Sequence, residues 1–103
     1  MKRVIVNYGM PEDSAAFDAH YRDVHAPLTR GMPHLKGFEV SRGEVVTSDP
    51  DTPVYATAIL SFASQEDLDA SMASPEGQAA VEDLANFATG GVTILTIDAE
   101  DQL

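Results

Sequence analysis

Arg3-Val4-Ile5-Val6-Asn7-Tyr8, followed by Gly9-Met10-Pro11, is the stretch that decides the fold. Its β-branched content and its Gly/Pro end predict a strand from Arg3 to Tyr8. Val4, Val6 and Tyr8 alternate onto one side of that strand, and Ile5 lies on the other. A strand that is apolar on both faces needs cover on both faces.

After Pro11, Asp13 or Ser14 offers an N-cap for a helix carrying Phe17, Tyr21, Val24 and Leu28 at helical period. That spacing predicts an apolar stripe, with a helix break at His25-Ala26-Pro27. Gly31-Met32-Pro33 closes the segment. A long extended run over Leu35 to Val46 follows, then a loop over Ser48 to Pro53, then a strand over Val54 to Phe62. Ser64 caps a short helix with acids in its first turn. Ser74-Pro75-Glu76 opens another, with Val81, Leu84, Ala85 and Ala88 as its apolar face. Thr89-Gly90-Gly91 closes it, and Val92 to Ile97 is the last strand.

The order β-α-β-β-α-α-β describes an α+β chain with a ferredoxin-like βαββαβ plan and one extra short helix. Its sheet has four antiparallel strands, with the helices on one face. Tyr55 and Ile59 alternate with Leu60 and Phe62, and Val92 and Ile94 with Leu95 and Ile97. Helices on one side leave the other side bare. A second copy of the same sheet is the simplest cover, because two-fold dimers are the commonest oligomers. A homodimer closing into a dimeric α+β barrel is therefore expected, and the long second strand could reach across to the partner.

The chain of 103 residues, 44% hydrophobic, suits one domain over residues 1–103. It has no cysteine, which excludes disulfides and thiolate metal sites. Six Lys+Arg stand against seventeen Asp+Glu, a net charge of −11 that repels phosphate backbones and anionic lipid. Neither nucleic acid nor membrane is an expected partner. No secretory pattern follows Met1, so the cytoplasm is the expected compartment.

The chemistry-bearing residues gather on the first helix. Tyr21 and His25 are four apart and share a face, so the phenol can orient the imidazole or polarise a substrate oxygen. Histidine titrates near neutrality, which suits a general acid–base. The plain alternative is that Tyr21 belongs to the core stripe and that His25 caps carbonyls beside Pro27. His20 lies five residues before His25, roughly 140° away around an α-helix, a poor spacing for a metal pair. Tyr8 and Tyr55, on strands, are candidates to line a substrate cavity. There is no G-x-G-x-x-G, P-loop or nucleophile elbow, and no nicotinamide, flavin or other cofactor site can be derived.

Four blocks carry a family resemblance: Tyr8-Gly9-Met10-Pro11, Phe17-x-x-His20-Tyr21-x-x-x-His25-x-Pro27-Leu28, Met32-Pro33-x-Leu35-x-Gly37-Phe38 and Ser74-Pro75-Glu76-Gly77. Together they resemble the ethyl tert-butyl ether degradation (EthD) family over nearly the whole chain. His34 departs from it, standing where a small residue such as glycine is expected. The resemblance implies a dimeric α+β barrel of ferredoxin-like protomers, with a cleft near the end of the first helix and His20, Tyr21 and His25 at the site. It also implies a small hydrophobic oxygenated substrate and isomerase, cyclase, dehydratase, decarboxylase or oxygenase chemistry without a cofactor. Nicotinamide-dependent reduction fits less well. A non-catalytic accessory protein that holds a small molecule for an oxygenase pathway is the competing reading, and histidine-bound haem or metal is a third.

Overall fold

The computed structural model describes residues 1–103. Strands β1 (Lys2–Tyr8), β2 (Gly37–Val40), β3 (Ala56–Phe62) and β4 (Val92–Asp98) form one sheet in the order β2-β3-β1-β4. All three pairings are antiparallel, with Val4 opposite Leu60 and Val6 opposite both Ala58 and Ile94. This is the ferredoxin-like plan.

Helices α1 (Ser14–His20), α2 (Ala26–Arg30), α3 (Gln65–Ala73) and α4 (Pro75–Phe87) cover one face. Val4, Val6 and Tyr8 are buried beneath them, whereas Ile5 on the opposite face is only half-buried. On that face Leu95 is 43% and Ile97 39% exposed in the single chain, and Ile59 is half-buried. The bare apolar side expected of this sheet is therefore present.

Capping follows the side-chain chemistry. The Asp13 carboxylate accepts from the Ala16 N–H, the Ser64 hydroxyl from the Asp67 N–H and the Ser74 hydroxyl from the Gly77 N–H. Gly77 is required because a Cβ there would collide with the Ser71 carbonyl where α3 and α4 meet. His34 adopts φ 65°, a left-handed conformation that explains why a glycine is expected at that position.

Three local expectations are corrected. The second strand stops at Val40 instead of continuing to Val46. Polar Ser41-Arg42, Gly43 at φ 78° and an 88%-exposed Val46 give the chain beyond Val40 no apolar face to bury. In α4 the buried residues are Gly77, Ala80, Asp83 and Phe87; of the expected face Leu84 and Ala88 pack half-buried against the core, while Val81 is 51% exposed and Ala85 is exposed. The acid at position 83 had hidden the true stripe.

The first helix does not break at Pro27. It passes from α1 through a π-helical turn, Tyr21–His25, directly into α2. The Ala26 N–H bonds the Tyr21 carbonyl five residues back. This wider turn lies where the Pro27 ring would otherwise press on the Asp23 carbonyl, four residues before it. The extra residue rotates the stripe: Val24 is 40% exposed and Leu28 half-buried, while His25, Ala26 and Thr29 face inward.

Candidate functional site

The π-helical turn brings His20 and His25 together on one acidic group, Asp83 of α4. His25 Nδ1 lies 2.9 Å from Asp83 Oδ2. His20 Nε2 lies 2.9 Å from Oδ1 and 3.0 Å from Oδ2 of the same carboxylate. Asn86 Nδ2 donates to Oδ1 at 2.9 Å. The divergence expected from α-helical geometry is thus overturned, because an i→i+5 turn places residues five apart on one side.

Asp83 is 6% exposed and His25 also 6%, so this pair is withdrawn from water. Burial pushes the Asp83 carboxyl up, but donation from Asn86, His20 and His25 outweighs it and leaves the group below its ordinary value. Burial likewise holds the His25 imidazole below its ordinary value, and Asp83 opposes that effect only in part. His25 is then neutral at pH 7. Its Nδ1–H donates to the ionised carboxylate, which leaves Nε2 as an acceptor. A carboxylate behind an imidazole fixes both tautomer and ring direction, as in hydrolase triads.

Nε2 faces Tyr8, whose hydroxyl is 3.4 Å away, a long contact. Tyr8 ends β1 with 2% exposure, and burial raises its phenol far above the ordinary value. Tyr21 stands on the same helical face as His25, ring centroids 5.3 Å apart. Burial pushes its phenol up to about 12. Its hydroxyl has no hydrogen-bond partner, although it neighbours that of Tyr8 closely enough for the two to influence each other's ionisation. Both phenols stay protonated donors. Phe87 seats both imidazoles, with ring centroids 4.7 Å from His25 and 5.0 Å from His20. The Thr29 hydroxyl donates to the His25 carbonyl at 3.0 Å and steadies the turn.

His25, Tyr21 and Tyr8 line one cavity of about 60 Å³ between the sheet and the helices, walled mainly by aliphatic side chains and by Met32 and Met72. Such an arrangement can take up or return a proton at Nε2 and hold an oxygen against phenolic donors. His20 stays behind Asp83, with its side chain 26% exposed, and does not line the cavity. Tyr55 is not brought into this group. It precedes β3, packs on Phe17 at 5.0 Å and donates to Asp18 at 2.7 Å, lining a separate open groove with residues of the 41–56 segment. Asp83 escaped the sequence reading. The available signal was an acid between Ala80 and Phe87 on the apolar side of its helix, where unpaired charge is rare.

The chain is 44% identical over 103 residues, all of this chain and 99% of the other, to an uncharacterised 11.0 kDa protein of the thcB–thcC intergenic region of Rhodococcus erythropolis. It is 32% identical to a crystallised ethyl tert-butyl ether degradation (EthD) family protein of Bacillus halodurans, with a TM-score of 0.85 over 97% of this chain and 99% of that one. A dimeric ferredoxin-like protein of unknown function from Thermobifida fusca shares the fold at 12% identity, with a TM-score of 0.70 over 95% of this chain and 90% of that one. The model of the EthD domain matches residues 10–91. The chain belongs to the EthD domain family.

Proposed function

We propose that this protein is a small-molecule enzyme that moves a proton on a hydrophobic oxygenated compound with its own side chains, His25 being the acid–base. The observation that carries this reading is the Asp83–His25 pair, with an imidazole lone pair turned into an apolar cavity. In the proposed step an O–H bond, or a C–H bond next to a carbonyl, breaks in the substrate. Nε2 takes the proton, and the electron pair settles on the substrate oxygen as an enolate or phenolate held by the Tyr8 and Tyr21 hydroxyls. The imidazolium so formed is stabilised by Asp83. Return of the proton to a second atom completes an isomerisation. Cyclisation or loss of water would begin from the same anion, oxygenation would add dioxygen to it as a second substrate, and decarboxylation would instead form it by loss of CO₂, with the proton then supplied by the imidazolium.

The protomers are proposed to pair sheet to sheet in the cytoplasm, closing a dimeric α+β barrel. The partly exposed Leu95 and Ile97 and the half-buried Ile5 and Ile59 support that pairing. Ferredoxin-like neighbours described as dimeric add to it. No helix is long and apolar enough to cross a membrane.

The test is deuterium uptake from D₂O into a panel of small ketones and lactones, followed by mass spectrometry. Wild-type protein should label at least one of them, and His25→Ala should lower that rate about 10²–10⁴-fold with the fold intact. Equal labelling by the variant removes His25 from the role. A non-catalytic accessory protein that holds the same kind of molecule is the second reading, favoured by the small, mainly apolar cavity. It would bind members of the panel and label none.

A further inference from the structure

The cavity beside His25 also restricts what it can take. We propose that it receives an uncharged, mainly hydrocarbon molecule through a single oxygen, a carbonyl or a phenolic or enolic hydroxyl, seated against Tyr21 and Tyr8 with its acidic proton toward His25 Nε2. This inference rests on the proton-transfer reading and adds the class of ligand.

The first argument is the Tyr21 hydroxyl. It is buried and its one polar neighbour is the Tyr8 hydroxyl, which stands too far or too poorly aligned to make a full hydrogen bond, although buried hydroxyls are almost always satisfied. The Tyr8 hydroxyl in turn makes only a long contact with His25. Two phenolic donors therefore lack one acceptor between them, and an oxygen atom supplies it. Nε2 is the complementary acceptor for a proton carried on that oxygen or on the adjoining carbon.

The second argument is charge. The lining contains no Lys or Arg. Arg30 stands outside the lining, near enough to Tyr21 for its charge to be felt there, while the Asp83 carboxylate is held 2.9 Å from His25 Nδ1, directly behind the imidazole. A carboxylate or phosphate ligand would be desolvated there with no cation in the lining to pair with and would meet a negative group across the ring. An ammonium gains nothing in exchange, since both Asp83 oxygens are already occupied by His20, His25 and Asn86.

The third argument is shape. A volume of about 60 Å³ holds roughly two waters at about 30 Å³ each, whereas a benzene ring fits a cavity of about 150 Å³. The walls that can yield are Met32 and Met72, whose unbranched thioethers repack readily. The rim that can admit a ligand lies between α4 and β4, where Val81 is 51% and Ile94 50% exposed. An apolar rim and methionine walls suit a flat hydrocarbon body.

Four probes of similar size test this by NMR of the histidine ring and methionine methyl signals at pH 7.5: phenol, cyclohexanone, toluene and benzoate. Phenol and cyclohexanone should shift the His25, Met32 and Met72 signals at millimolar concentration, and benzoate should not. Tyr21→Phe, which keeps the ring, should weaken phenol about tenfold and leave toluene unchanged. Benzoate binding as tightly as phenol overturns the proposal. So does toluene binding equal to phenol, phenol binding that Tyr21→Phe does not alter, or no response to either neutral oxygen compound. Binding of benzoate would leave proton transfer by His25 standing. Phenol binding alongside undiminished labelling by His25→Ala would remove that role and leave the ligand class intact.

Discussion

His20 and His25 are separated by five residues along one helix, yet both imidazoles end within 3.0 Å of the Asp83 carboxylate. The π-helical turn between them is what makes this possible, and it converts a helix surface into one wall of a site. The consequence is directional. One imidazole is held at the protein surface and the other is held inside, with the anion between them.

Asp83 should hold the site together. In Asp83→Leu the His20 and His25 N–H donors and the Asn86 amide lose their acceptor, and His25 loses the group that fixes its tautomer. Stability should fall by about 1–3 kcal/mol, as read from urea denaturation. Asp83→Asn should recover part of that loss and still leave labelling activity strongly impaired, because an amide cannot stabilise the imidazolium.

The pH dependence of stability has a definite sign. His25 is held below its unfolded value of 6.5, so the unfolded chain binds the extra proton first as pH falls. Its contribution to stability is fully present above pH 6.5 and is lost as pH falls from there through the lower folded value. Asp83 is held below 3.8 and adds a second loss at more acid pH. Midpoints of thermal unfolding from pH 8 to 5 should fall in the wild type and fall less in His25→Phe. A flat wild-type profile would contradict the burial of a neutral imidazole.

The rotated stripe separates Val24 from Phe17. Val24 is 40% exposed, so Val24→Ala should change stability by about 0.5 kcal/mol or less. Phe17 is 4% exposed within the aromatic cluster, and Phe17→Ala should cost about 3–5 kcal/mol. Equal costs would mean an unbroken α-helical stripe.

The bare sheet face predicts an assembly. Leu95→Lys combined with Ile59→Lys places charge in the centre of the proposed pairing surface, where burial without a partner is costly. Sedimentation equilibrium should give twice the chain mass for the wild type and the single-chain mass for the double variant. A wild-type protein that sediments as one chain at micromolar concentration would contradict the pairing.

Much of the fold was legible because it depends on patterns with short periods. The two-sided run at Val4–Tyr8, the serine caps at Ser64 and Ser74 and the order of elements all rest on local rules. The site was legible only in part. His25 and Tyr21 are four apart, a spacing that both α- and π-helical turns bring together. His20 and His25 meet only when one turn widens, and no 3.6-residue period can announce that. Asp83 resembled a solvated helix acid because, apart from Asn86 one turn on, the groups that satisfy it are histidines 63 and 58 residues away on another helix. Tyr55 lines a groove apart from the His25 cavity, because β3 begins one residue later and its phenol donates to Asp18 of α1.

The most direct test is the protonation state of His25 itself, read from the ring nitrogens by ¹⁵N NMR at pH 7. The account requires a neutral ring with its proton on Nδ1, bonded to Asp83, and an unprotonated Nε2 that takes its proton only below pH 6.5. A ring carrying its proton on Nε2, or already cationic at pH 7, would contradict it.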